Sequence, residues 1–398
     1  MDGSRVRGPN PGGRRLVVLG TMASVPYAGM AWMHMQFVVG LLRLGHDAYY
    51  LETTSAWPYD PERHAFVDDS AYAASYLARV AAGFGVSERW AYRRSYADKA
   101  WLGPVAGRAA ELLAHADAVL NISGATRLAE EGLKVERLVY VGTDPGVHDL
   151  GFANGDAAVQ ALLGEHHDCI TYGENIGTPR SPIPALPRLR GATRQPVLLD
   201  LWNLQPPPRR VFTTVGNWRQ DGHDVVYDGE TYSWSKHHQF LKFIELPRRC
   251  RESLELATGL VNLEADERTL LESWGWHLVD AHRFTLDPWS YRDYVCRSRG
   301  EFTVAKDQNV RLHSGWFSER SACYLAAGRP VITQHTGFGD VLPTGEGLFA
   351  FQDMDDIVSA MEAVAADYER HSKAARRIAE EYFRAETVLA RLLTDLGM

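Results

Sequence analysis

The chain has 398 residues, of which 45% are apolar and 23% charged, and its net charge is −8 (Lys+Arg 42, Asp+Glu 50). This is an ordinary soluble composition, long enough for two domains, and with no basic block it argues against nucleic acid as the main partner. No apolar run reaches the roughly 18–20 residues of a membrane span, and four scattered cysteines (Cys169, Cys250, Cys296, Cys323) without a C-x-x-C pair suit the cytoplasm rather than a zinc site or disulfide framework.

Residues 1–15, rich in Gly, Pro and Arg, read as a floppy tail. Leu16 to Gly20 predicts a buried strand, and Met30 to Leu44 an apolar helix stopped by Gly45. His46 to Glu52 predicts a second strand, 69–83 and 104–116 two helices, and Ala118–Ile122, Arg137–Gly142 and Cys169–Tyr172 three more strands. Such alternation predicts a doubly wound parallel sheet over 16–175. The prolines of 176–210 mark a linker.

The pattern restarts at Val211–Val215. Helices are expected at 236–246, 248–258 and 290–298, and strands at Leu260–Leu263, Glu301–Ala305, Pro330–Thr333 and Leu348–Phe351. A helical tail runs from Asp355 to Leu396. The second domain is placed at 211–375, and 376–398 is expected as a helix returning toward the first domain. Two facing α/β domains of this Rossmann-like kind bind ligands outside the carboxyl ends of their strands.

The richest segment is HSGWFSERSACYLAAGRPVI, 313–332. A polar, Gly-containing loop runs into an apolar helix, whose unpaired N–H groups suit an anion such as phosphate. His313 and Ser318 add hydrogen-bonding groups, and Trp316 offers a flat face. A helix capped by Ser318 with Trp316 in the core is the plainer reading.

This segment, with LLRLGHDAYYLE (41–52), resembles glycosyltransferases of the GT-B fold, nucleotide-sugar-dependent enzymes of the family 1 and family 4 type. The resemblance implies two facing Rossmann-like domains, with a donor diphosphate held by His313, Gly315, Trp316 and Ser318. It implies a ribose-binding Glu that falls at Ser321 or Cys323, with Glu319 as the nearest carboxylate. VFTTVGNWR (211–219) resembles the opening strand and turn of the donor domain, bringing Gly216 and Asn217 to the donor. Lys236 and Arg219 resemble the Lys and Arg that neutralise the diphosphate, with Lys306 a third cation and Thr336-Gly337 a further turn near the phosphates.

Transfer to a hydroxyl builds charge on the leaving diphosphate, so fixed cations and N–H dipoles lower the barrier. The resemblance implies a base at Met30, where this chain has none. His34, one turn on, and Asp144, in the turn TDPG, are the rival candidates, with Glu174 third. Gly29, Trp32 and Trp57 are placed at the acceptor. Asp353-Met354-Asp355 reads as a helix cap, and neither a metal nor a cofactor other than the sugar nucleotide is expected. The expected activity is sugar transfer to a small-molecule, natural-product-like acceptor; a nucleotide-sugar epimerase and a silent binding protein stay open.

Overall fold

The computed structural model describes residues 12–398 except 205, 207 and 221, so the expected tail falls outside the described residues up to residue 11. The first domain holds an eight-stranded sheet in the order Leu189–Ala192, Asp168–Thr171, Leu138–Gly142, Ala118–Ile122, Arg15–Leu19, Asp47–Thr53, Trp90–Arg93, Trp101–Leu102. All its pairings are parallel except that of the last strand. The second holds a six-stranded parallel sheet in the order His277–Asp280, Ser253–Thr258, Val211–Val215, Gly300–Thr303, Val331–Gln334, Leu348–Phe351.

Central strands such as Leu16–Leu19 and Ala118–Ile122 are buried throughout. Helices cover both faces of a parallel sheet, so its strands carry unbroken apolar runs rather than alternation. In each sheet the chain reverses direction beside its first strand. That leaves a crevice at the carboxyl ends of Arg15–Leu19 and Ala118–Ile122, and another at those of Val211–Val215 and Gly300–Thr303.

Several expectations are corrected. The helix expected at 248–258 is a four-residue turn of helix, Leu246–Arg249, followed by the strand Ser253–Thr258. The strand expected at Leu260–Leu263 is a single 3-10 turn. The segment 176–210 is not all linker: Leu189–Ala192 pairs with Asp168–Thr171 and extends the first sheet. The strands Trp90–Arg93 and His277–Asp280 were not anticipated.

The last helix, Ala385–Asp395, lies on helix Ala28–Arg43 of the first domain. Gly40 makes this possible, since a Cβ there would stand 2.5 Å from Leu389 Cδ1. Phe383 O accepts from Val197 N at 2.7 Å, and Arg43 grips Asp200 with two bonds of 2.7 and 2.8 Å. The domains are thus tied on one side by returning chain and meet on the other across the cleft.

Candidate functional site

Between the domains lies a cavity of about 320 Å³, at the carboxyl ends of both sheets. The first domain supplies Met30 and Met33 from helix Ala28–Arg43, Ser123 after strand Ala118–Ile122, and Thr143 and Asp144 after strand Leu138–Gly142. The second supplies Thr214 to Trp218, Lys236, Thr303, Lys306, and Trp316 with Ser318 to Arg320.

Trp316 is buried and bridges the domains, donating from Nε1 to Thr143 O at 3.0 Å. Ser318 caps helix Glu319–Ala326 by accepting from Arg320 N. The start of that helix, with its positive dipole end, therefore faces the cavity.

Three cations line the cavity. Lys306 donates to Asp144 Oδ1 at 2.7 Å. Burial favours the neutral acid of Asp144, but the Lys306 ammonium outweighs it and holds the carboxyl below its usual range. Arg320 donates from Nε to buried Glu301 at 2.5 Å and from Nη2 to Thr303 Oγ1 at 2.9 Å. Its Nη1 faces Gly216, where an added Cβ would stand 3.9 Å away.

Lys236 differs from both. Its Nζ sits 5.2 Å from the centre of the Trp316 ring, and among the described residues it makes no ion pair or hydrogen bond. Burial, with the nearby charges of Arg320 and Lys306, pushes its pKa down to about 7. The carboxylates of Glu319 and Asp144 oppose that shift from a distance, and among the described residues neither forms an ion pair with it.

Of the residues read from the sequence, Asp144, Gly216, Asn217, Lys236, Lys306, Trp316, Ser318 and Glu319 line this cavity. Others do not. Arg219 pairs with Glu267, its Nε 2.9 Å from Oε1. His313 is exposed, its ring 6.0 Å from that of His335.

Gly315 and Gly337 serve the domain contact instead. Both have positive φ (77° and 92°), and a Cβ would meet Asn175 N at 2.7 Å or Asn175 Nδ2 at 2.4 Å. Asn175 Nδ2 reaches the carbonyls of His313 (3.2 Å) and Gly337 (3.3 Å) and Asp340 Oδ2 (3.0 Å). Thr336 donates to Trp316 O at 2.5 Å and fixes the tryptophan loop rather than opening to the cavity.

On the first domain, His34 is 1% exposed, shares a 2.7 Å hydrogen bond with Met30 O, and is lowered to about pKa 4 by burial. It is packed in the core and does not reach the cavity. Trp32 is also buried, donating to Pro288 O at 2.9 Å and packing on Trp202. Trp57 is 51% exposed and, with Gly29, stands outside the cavity. Glu174 is occupied by Arg194.

Arg320, Ser123 and Thr143 were missed. The first had a signal: an arginine in the first turn of a helix opposes the dipole, so something else must hold it there. Given its position, His313→Ala is expected to leave the affinity for any ligand of this cavity within about twofold of the parent by titration calorimetry, a change of under 0.5 kcal/mol.

No family model matches the chain, and no curated protein matches it in sequence. Solved structures do resemble it. HepE of Anabaena in complex with UDP-glucose is 11% identical, with 96% of this chain and 99% of that one covered, at a TM-score of 0.57. Sucrose-phosphate synthase of Thermosynechococcus elongatus is 14% identical over 96% and 99%, at 0.52. An alpha-glucosyltransferase in complex with UDP and a 13-mer DNA containing an HMU base is 8% identical over 97% and 100%, at 0.56. The chain has the GT-B fold of these proteins.

Proposed function

We propose that this chain is a glycosyltransferase, moving a sugar from a nucleotide-diphosphate sugar to an acceptor hydroxyl across the cleft. Lys236 carries the reading. A partly buried ammonium that forms no ion pair among the described residues, beside Arg320 and Lys306, is destabilised as it stands and is relieved by a multiply charged anion of diphosphate size. The start of helix Glu319–Ala326 supplies a dipole of the same sign. The fold agrees, since its structural neighbours include proteins bound to UDP and to UDP-glucose.

The chemistry follows from the charge. As the bond from the sugar carbon to the phosphate oxygen stretches, negative charge grows on the diphosphate, and groups already aimed at it stabilise the transition state more than the ground state. Three cations and a helix end can do this without a metal. The hydroxyls of Ser123 and Thr143, 2.5 Å apart, and the Asp144 carboxylate face them from the other domain and would hold sugar or acceptor hydroxyls. A cavity of about 320 Å³ suits a small acceptor, and four unpaired cysteines suit the cytoplasm.

The test is a thermal-shift panel of UDP, ADP and GDP against their monophosphates, with and without EDTA. At least one diphosphate should raise the melting temperature, more than its monophosphate does and equally in chelator, because a ligand of the folded state alone stabilises it. No shift with any diphosphate would overturn the assignment.

A further inference from the structure

Lys306 already holds an anion. Its side chain is 8% exposed, its Nζ lies 2.9 Å from the centre of the Trp234 ring, and it donates to Asp144 Oδ1 at 2.7 Å. Asp144 is more open, at 43%. The two come from opposite walls: Asp144 follows strand Leu138–Gly142, and Lys306 follows strand Gly300–Thr303. The ion pair therefore crosses the cleft within the cavity that also holds Lys236 and Arg320.

An ammonium covered by an indole and by its own domain has little room for a second anion. A diphosphate drawn to Lys236 and Arg320 would compete with Asp144 for the single contact that Lys306 offers. Asp144, the more open member of the ion pair, is the one that yields.

We infer that Asp144 is a built-in counter-anion, displaced from Lys306 by the donor's diphosphate when it binds. The inference rests on the donor reading above. Once released, the carboxylate stays on the first domain's wall beside Ser123 and Thr143 and accepts hydrogen bonds from hydroxyls of the sugar or acceptor. Donor binding thus completes the hydroxyl-binding wall, and the donor binds before the acceptor. No covalent step is involved.

A double-mutant cycle on the full chain tests this, using calorimetry with UDP, ADP and inorganic pyrophosphate as probes. Asp144→Asn keeps the shape and removes the competing charge. It should bind nucleotide and pyrophosphate about tenfold more tightly than the parent, the effect of one charge-assisted hydrogen bond no longer broken. Asp144→Ala should show the same gain, and near-ultraviolet circular dichroism checks that both variants are folded. In a Lys306→Met background the gain should vanish, because the competition needs the lysine.

Unchanged or weaker binding by both Asp144 variants, or a gain that survives without Lys306, overturns the exchange while leaving the donor reading intact. If no probe binds even the parent, both fall together.

Discussion

Lys236→Met is expected to abolish measurable nucleoside diphosphate binding and yet raise the melting temperature of the ligand-free protein. Opposite signs are the point. A residue kept for the fold loses stability when removed, whereas one kept as an unpaired cation for a ligand gives it back. The Lys236 amine is lowered from its ordinary value to about 7 by burial and by Arg320 and Lys306. In the unfolded chain it titrates near 10.4.

Between those two values the unfolded state binds more protons than the folded state, so stability rises with pH across that window. Below about pH 7 the full penalty is present, and there the methionine variant should gain most. A gain of roughly 1–3 kcal/mol is expected, in line with removal of a desolvated polar group lacking a partner. The same linkage governs binding. A bound diphosphate raises the amine's pKa, so complex formation takes up a proton above pH 7. The parent's dissociation constant should then weaken with pH, approaching tenfold per unit above pH 8. Lys236→Arg, charged throughout, should flatten that dependence. A variant that binds as the parent does at pH 7 would remove Lys236 from the site.

How much of this was legible in the sequence follows from which forces are local. Ala118–Ile122, Val211–Val215 and Leu348–Phe351 stand where their apolar runs and flanking turns put them. Ser253–Thr258 is ambiguous in the sequence because Leu254 and Leu256 fit an alternating period while Leu256, Leu260 and Leu263 (i, i+4, i+7) fit a helical one, and only the sheet position decides. Within the loop of 313–319, Trp316, Ser318 and Glu319 face the cavity. His313, Gly315 and Gly337 instead answer to Asn175, which is 138 residues from His313 in the chain. No local pattern records that approach. Arg219 and Arg320 show the same limit. Which arginine reaches the cavity depends on Glu267 and Glu301, carboxylates that folding alone brings to them.

Gly20→Ala is expected to destabilise the fold by roughly 3 kcal/mol, and removing the His34 ring should restore much of that loss. Gly20 closes the first strand, and a Cβ there would stand 2.0 Å from His34 Nε2 and 2.1 Å from Cδ2. Its φ is not in the left-handed region, so the backbone tolerates alanine and the cost is steric. The ring has nowhere to go. It is hydrogen-bonded to Met30 O and lies edge-on to Tyr50 at 5.6 Å, with burial holding the imidazole neutral. Chemical denaturation of Gly20→Ala, His34→Ala and the double variant should give a strongly favourable coupling, because the second change vacates the space that the first needs. A base poised in the cleft would give a different result: His34→Ala would leave Gly20→Ala as unstable as before, since the ring would not lie against the strand. Gly20→Ala with parental stability would show that the imidazole can turn toward the cleft and would return it to the list of catalytic candidates.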